Sequence, residues 1–141
     1  MITDCYSTTI RATTRKITAM YDDALAPAGI TIAQLALLRR LSADSPLSVD
    51  ALAKSAELER STVARNIRVL QSLALVEIGQ STTDRRAAAI LLTARGVETR
   101  LKSEPLWDGA QRRFEERFGR ERAEALRDLC RQFELVQADS A

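Results

Sequence analysis

The sequence predicts a mainly α-helical domain that carries one small β hairpin. Three observations support this fold class. Apolar residues recur at steps of three and four over both ends of the chain, as they do on one face of a helix. Two short apolar segments, 75–79 and 87–92, flank a polar link, which is typical of paired strands. The length of 141 residues suits a single domain with its own core.

Composition argues against several classes of protein. Charged residues make up 28% of the chain and hydrophobic residues 45%, which is the balance of a globular protein. No apolar run reaches the roughly 18 residues of a membrane helix, and the first residues lack the apolar stretch of a secretory signal, so we expect a cytoplasmic protein with no membrane partner. Histidine is absent and there are only two cysteines. We therefore expect no enzyme activity, no metal site and no cofactor.

The first predicted helix covers residues 3–26. Thr3 and Asp4 are both suitable N-caps, while Pro27 and Gly29 should end the helix. Its apolar positions are spaced by three, by four or by multiples of these steps: Tyr6, Ile10, Ile17, Tyr21 and Leu25.

Three more helices are predicted before the hairpin. Residues 31–43 form the second, in which Thr31 and Gln34 match a capping box. Ser48 caps a short third helix, and a tight connection leads to the fourth helix over about 60–73. The inward positions of the second and fourth helices are Leu35, Leu38, Leu41, Val63, Ile67 and Leu70.

The helical pattern returns after the hairpin. Pro105 either kinks this helix or begins a new one, and Gly119 separates a last helix over about 120–137. The terminal helices carry more apolar surface than a small three-helix core can bury. We therefore expect residues 1–29 and 101–141 to form a homodimer interface. The alternative is that these helices fold back on their own domain.

The central part of the chain, about 30–100, thus has the element order of a winged helix-turn-helix. The polar face of its fourth helix combines short side chains with arginine and asparagine. Such a face suits the major groove of DNA, because arginine can bond guanine twice and asparagine can do the same for adenine. The alternative is an ordinary solvated helix face. The proposed DNA-binding residues of this helix are Ser61, Thr62, Ala64, Arg65, Asn66 and Arg68.

The polar link of the hairpin adds positive charge. Arg85 and Arg86 are adjacent and can reach a minor groove or a phosphate backbone, and Asp84 can orient one of them. The alternative is a solvated turn with an incidental ion pair. Residues 59–100 contain seven arginines against four acids, a local balance of +3, whereas the whole chain carries +2. Positive charge is therefore concentrated in the part that would read DNA.

Six short motifs of this chain together resemble the pattern of a known protein family. In chain order they are Thr31/Gln34/Leu38, Leu47 with Val49/Leu52/Ala53, Ser61-Thr62-Val63-x-Arg65, Leu70 with Leu75-Val76, Asp84-x-Arg86, and Leu92-Thr93 with Gly96. No motif is specific alone, but their order and spacing closely resemble the MarR family of bacterial transcriptional regulators. The resemblance implies one MarR-type domain over 1–141, a homodimer on a palindromic DNA operator, recognition helices in successive major grooves and wings in the minor groove. It also implies release by a small aromatic ligand or by cysteine oxidation.

Three departures from the family pattern bear on the site. Ala74 stands where glycine is frequent, so the fourth helix could end differently, because alanine costs more in a left-handed conformation. Ala64 replaces a frequent threonine and offers only a methyl group to a base. Ile78 and Gly79 occupy strand positions that often carry arginine, which removes those phosphate contacts.

The two cysteines suggest a form of control. Cys5 begins the first helix, where free backbone amides can lower a thiol pKa, and the resemblance extends to the peroxide-sensing branch of the family. Cys130 could then act as a resolving thiol. The alternative is that both are small buried side chains at the dimer interface.

The function expected from the sequence is therefore sequence-specific binding of double-stranded DNA by a transcriptional regulator, most simply a repressor. The alternatives are a winged-helix module that binds proteins instead of DNA, and a peroxide-responsive redox sensor within the same family.

Overall fold

The computed structural model describes residues 4–80 and 88–138, with side chains up to residue 134. Its elements confirm the predicted fold class, a mainly helical domain with one antiparallel two-stranded sheet. In chain order the helices and strands are α1 (Tyr6–Leu25), α2 (Ile32–Leu38), α3 (Val49–Ala56), α4 (Arg60–Ser72), β1 (Val76–Gln80), β2 (Ala88–Leu92), α5 (Ala94–Phe118) and α6 (Arg120–Ala138). A single 3-10 turn, Ala26–Ala28, follows α1.

The first two helices begin and end largely as local chemistry dictates. Gly29 takes a left-handed conformation with φ of 75° after the 3-10 turn. The predicted capping box is present, because the Gln34 amide donates to the Thr31 hydroxyl and the Thr31 amide donates to the Gln34 side chain. One prediction was wrong: the N-cap of α1 is Cys5 and not Asp4, while Thr3 lies outside the described residues.

Helix α2 is shorter than predicted. It ends at Leu38, although the apolar spacing continues to Leu41. The chain beyond α2 pairs with β2 instead of continuing the helix. The Ser42 carbonyl accepts a 2.9 Å hydrogen bond from the Leu92 amide, and Leu47 pairs with Ile90. Continued helix would leave these strand groups without partners, so tertiary pairing overrides the local helical pattern.

The core lies between α2, α3, α4 and the hairpin, with Leu25 of α1 and Trp107 of α5 packed against it. All six inward positions predicted for α2 and α4 are buried. Its largest fully buried apolar side chains are Leu25, Leu35, Leu37, Leu38, Leu52, Val63, Ile67, Leu70 and Ile90.

The end of α4 corrects the expectation drawn from Ala74. This residue adopts the left-handed conformation, with φ of 59°, even though it is not glycine. The Leu75 amide then closes on the Leu70 carbonyl at 2.9 Å, and the Thr93 hydroxyl donates to the Ala74 carbonyl at 2.7 Å. These bonds hold a conformation that costs an alanine about 1 kcal/mol. The helix therefore ends as it would with glycine.

Helix α5 runs without interruption through Pro105, so the alternative of a new helix at that residue was wrong. Its first turn lies beside the hairpin, where Gly96 faces Leu75, and α1 and α6 pack on the remainder. Gly119, with φ of 96°, separates α5 from α6 as predicted. This helix therefore connects the winged part with the terminal helices.

The terminal helices leave much apolar surface open although α1 and α6 pack on α5. Tyr6 is 86% exposed, Leu129 62% and Phe133 65%. Packing within one chain thus does not bury these side chains, and the homodimer stays a prediction. Among the described residues no helix is both long and apolar enough to cross a membrane.

Candidate nucleic-acid interface

Helices α3 and α4 form the helix-turn-helix. Ser48 caps α3 by accepting a 3.0 Å hydrogen bond from the Ala51 amide. Glu57 ends α3 in a left-handed conformation with φ of 55°, and the Leu58 amide returns to the Ala53 carbonyl at 3.0 Å. This tight turn sets the angle at which α4 leaves α3.

The buried side of α4 fixes which residues face outward. Val63, Ile67 and Leu70 are buried in the core. Ser61, Arg65 and Arg68 are exposed, and their steps of four and three place them along one stripe of the helix. Neither arginine forms a hydrogen bond or ion pair with another described residue. Within the part of the chain that the structure describes, both guanidinium groups are therefore open to a ligand.

The other three predicted residues of α4 are half-buried and flank this stripe. They are Thr62, Ala64 and Asn66. The Asn66 side chain donates a 3.2 Å hydrogen bond to the Thr62 carbonyl of its own helix. One N–H of the Asn66 amide is therefore engaged within α4, while its second N–H and its Oδ1 have no hydrogen bond to another described residue.

The N-terminus of α4 offers backbone donors. Glu59 is the N-cap, and no side chain caps the first turn. Amides of a helix's first turn have no intrahelical partner and can bind phosphate. Arg60 at this end pairs with Asp50, with 2.6 Å between Nε and Oδ1, so part of its charge is neutralised. Its contribution to the positive balance is smaller than the sequence count indicates.

The hairpin stands beside α4. Val76 pairs with Leu92 at its base and Gln80 with Ala88 at its outer end. Ile78 and Gly79, the strand positions at which the resemblance leads one to expect arginine, are both exposed on β1. The predicted tip residues Asp84, Arg85 and Arg86 lie outside the described residues.

Both cysteines are exposed, and neither is part of a disulfide. Cys5 is the N-cap of α1, but its side chain does not form the usual capping hydrogen bond. The pKa of its thiol is lowered, mainly by the Thr8 hydroxyl and to a smaller extent by the backbone amides of Thr8 and Ser7. Cys130 lies on the open apolar side of α6, so burial within its own chain does not occur. The first cysteine thus has the environment of a reactive thiol.

Sequence reasoning missed a cluster that joins α2 to α5. Arg39 follows α2 and binds Glu104 of α5 with both ends of its guanidinium group, at 3.0 Å from Nε and 2.6 Å from Nη2. The same group lies 4.4 Å from the centre of the Trp107 ring. The paired hydrogen bonds raise the pKa of Arg39 and lower that of Glu104. We call Arg39, Glu104 and Trp107 the Arg39 cluster.

A cleft of about 510 Å³ lies between α1 and α5. Three cations line it, Lys16, Arg113 and Arg117, together with Asp23 and small or flexible apolar side chains such as Met20. Within the described part of the chain, no group of three or more acidic or cysteine side chains is arranged to hold a metal ion. The lining of this cleft thus combines three positive charges and one carboxylate with short or flexible apolar side chains.

The chain is similar in sequence and in fold to known transcriptional regulators. The MarR family profile matches residues 28–87. The M. tuberculosis transcriptional regulator MosR is 30% identical over 96% of this chain and 97% of its own, with a TM-score of 0.77, and its structure with DNA gives 0.79. The S. aureus MepR–DNA complex covers 95% of this chain and 99% of its own at 20% identity and a TM-score of 0.79, which shows the shared fold. No curated protein sequence matches the chain.

Proposed function

This chain belongs to the MarR family, and from that premise we propose that it regulates transcription by sequence-specific binding of double-stranded DNA. The observation that carries the proposal is the two-sided character of α4. Its apolar side anchors it in the core, while Ser61, Arg65 and Arg68 form an exposed stripe whose guanidinium groups pair with none of the residues in 4–80 and 88–134. Solved complexes of MosR and MepR with DNA, which share this fold, support DNA binding as the function.

We propose that the active species is a homodimer. The apolar side chains left open on α1, α5 and α6 are large and numerous, and a second copy would cover them. Two recognition helices related by a two-fold axis then match a palindromic operator. A dimer on such a site near a promoter blocks transcription most simply as a repressor. From this proposed DNA target we also infer a location in the bacterial cytoplasm.

The test begins with selection of preferred duplexes from a random pool, followed by fluorescence anisotropy at fixed salt. Arg65→Ala should weaken binding to the selected duplex by about 1–3 kcal/mol if Arg65 bonds a base. Arg131→Ala, checked by analytical ultracentrifugation to remain dimeric, is the control for loss of one exposed arginine outside α4. Equal binding by parent and Arg65→Ala would contradict the assignment.

The same binding assay also tests Arg86. If it contacts phosphate or the minor groove, Arg86→Ala should weaken binding evenly across sequences and reduce the dependence of affinity on salt. Failure of the parent to select any duplex would favour the alternative, a winged-helix module that binds protein.

The environment of Cys5 favours thiol oxidation as a signal. An exposed thiol with a lowered pKa reacts readily with peroxide. Peroxide should then lower DNA affinity, and Cys5→Ser should abolish the response. Cys130→Ser should abolish it only if Cys130 is the resolving thiol. Unchanged affinity after oxidation would assign Cys5 a packing role.

The cleft between α1 and α5 supports a small aromatic ligand as a second class of signal. Its cations suit a carboxylate, and its apolar wall suits a ring. Benzoate is a suitable first probe. It should lower DNA affinity in the parent, and Arg113→Ala should remove that effect. An identical response in both proteins would place the binding site elsewhere.

A further inference from the structure

The geometry points to a hinge within α5 at residues 99–107, whose angle is set by Arg39 as a positioning residue and which thereby determines the DNA half-site spacing that the homodimer accepts. This inference rests on the function proposed above and concerns its specificity. We call residues 99–107 the hinge segment. Three independent features of this segment support the inference.

First, two features of the hinge segment weaken the helical hydrogen bonding of its backbone. Pro105 has no N–H to donate to the Leu101 carbonyl, and its ring crowds the preceding turn. The buried Ser103 hydroxyl donates to the Thr99 carbonyl at 2.7 Å, a contact that bends helices. Both features fall within two turns of one 25-residue helix. Bending of α5 therefore costs least in this segment.

Second, the segment lies between two anchored regions. On its N-terminal side Gly96 is pressed against the Leu75 backbone of the winged part. On its C-terminal side the Tyr21 hydroxyl of α1 donates to the Gln111 side chain. A change of angle between these anchors would move α4 relative to the terminal helices. In a dimer joined by those helices, it would change the distance between the two recognition helices.

Third, contacts with Arg39 and with the backbone just beyond α2 hold the segment on the winged part, and those of Arg39 lie on both sides of Pro105. Arg39 binds Glu104 through two hydrogen bonds and stacks on Trp107, so one guanidinium group contacts residues before and after the proline. Arg100 adds a 3.3 Å hydrogen bond to the Leu41 carbonyl. An arginine fork has a fixed plane and cannot follow a bending helix without losing contacts. The Arg39 cluster therefore opposes bending at the weak point.

The experiment compares Arg39→Gln, Glu104→Gln and the parent homodimer. Each binds a series of duplexes in which the two half-sites of the selected palindrome are moved apart or together by single base pairs. The parent should show a sharp optimum. Both variants should lose about threefold to tenfold in the preference for that optimum, as expected from breaking a partly exposed ion pair and cation–π contact. Arg39→Lys should fall between them and the parent, because it keeps the charge but not the fork.

The two variants control for charge. Arg39→Gln removes a cation and Glu104→Gln removes an anion, so general electrostatic effects on DNA affinity have opposite signs. Loss of the Arg39 cluster should flatten the spacing preference in both. Arg120→Gln breaks the exposed ion pair with Glu115 and, once analytical ultracentrifugation has shown that it remains dimeric, should keep the sharp optimum. Unfolding midpoints establish that every variant is folded.

A second measurement needs no DNA. A spin label on Arg68→Cys, in a chain with Cys5→Ser and Cys130→Ser, reports the distance between the two copies of α4 by double electron–electron resonance. Arg39→Gln and Glu104→Gln should broaden or shift that distance distribution. Unchanged distributions and unchanged spacing preference would overturn the hinge. A parent that selects no duplex would overturn the proposed function instead, and the spin-label result would still decide the hinge.

Discussion

The substitution of glycine by alanine can be tested at two sites of α5, a crowded one at Gly96 and an open one at Gly109. Both are glycines of α5 with ordinary helical backbone, and alanine is the better helix former by about 1 kcal/mol. A Cβ added at Gly109 would lie 3.6 Å from the Arg113 guanidinium group, an ordinary contact. A Cβ added at Gly96 would lie 2.1 Å from the Leu75 carbonyl oxygen and 2.7 Å from a Leu92 methyl.

The Gly96 contact cannot be relieved by turning a side chain, because the nearest atom belongs to the backbone. Relief requires a shift of about 1 Å between α5 and the start of the hairpin, which costs up to about 3 kcal/mol in a packed core. The Leu75 carbonyl also accepts the Thr93 amide at 3.1 Å, a bond worth about 1 kcal/mol that the shift would weaken. After the gain in helix propensity, Gly96→Ala should destabilise the protein by about 3 kcal/mol.

The assay is urea unfolding followed by far-UV circular dichroism, at one protein concentration because dimerisation contributes to stability. Gly96→Ala should lower the unfolding free energy by about 3 kcal/mol, and Gly109→Ala should raise it by about 0.5–1 kcal/mol. If Gly96→Ala is as stable as the parent, the close approach of α5 to Leu75 is wrong. If both substitutions destabilise equally, the contrast between the two settings fails.

Three further predictions use other parts of the molecule. Ala74→Gly should raise the unfolding free energy by about 0.5 kcal/mol, because glycine relieves the strain of the left-handed backbone but also increases the entropy of the unfolded chain. Ala74→Val should lower the unfolding free energy, and a valine variant more stable than the glycine variant would contradict the strain at this residue. Leu129→Lys should shift the protein to monomer in analytical ultracentrifugation, whereas an unchanged sedimentation coefficient would exclude α6 from the interface. The lowered pKa of Glu104 means that its ion pair stabilises the folded state above the ordinary pKa of 4.5 and is lost as pH falls through the lower folded value. The stability difference between the parent and Glu104→Gln, at most about 1 kcal/mol for this partly exposed pair, should therefore shrink in acid; a difference that grows in acid would contradict the sign.

Local chemistry was sufficient for most element boundaries. The Thr31 capping box, the Ser48 cap, the Gly29 turn and the apolar spacing of α4 each act within a few residues, so they can be read directly from the chain. The same spacing placed Arg65 on the exposed side of α4, because a helix with one buried stripe leaves the opposite side open.

Where prediction failed, the deciding contacts join distant residues. Helix α2 ends at Leu38 because the residues after it pair with β2, about fifty positions further along the chain. Ala74 is left-handed although its own propensity opposes that conformation, because Leu70 and Thr93 supply the hydrogen bonds that hold it. A local pattern cannot weigh such partners.

The sequence by itself thus determined the helices, the hairpin and the polar stripe of α4, since these follow from periodicity and caps within one or two turns. Only the tertiary structure brought Arg39 to Glu104, 65 positions further along the chain, and to Trp107, and set Gly96 against the Leu75 backbone. The physical reason is that side-chain direction within an element follows from its period, whereas the contact between two elements depends on how the whole core packs.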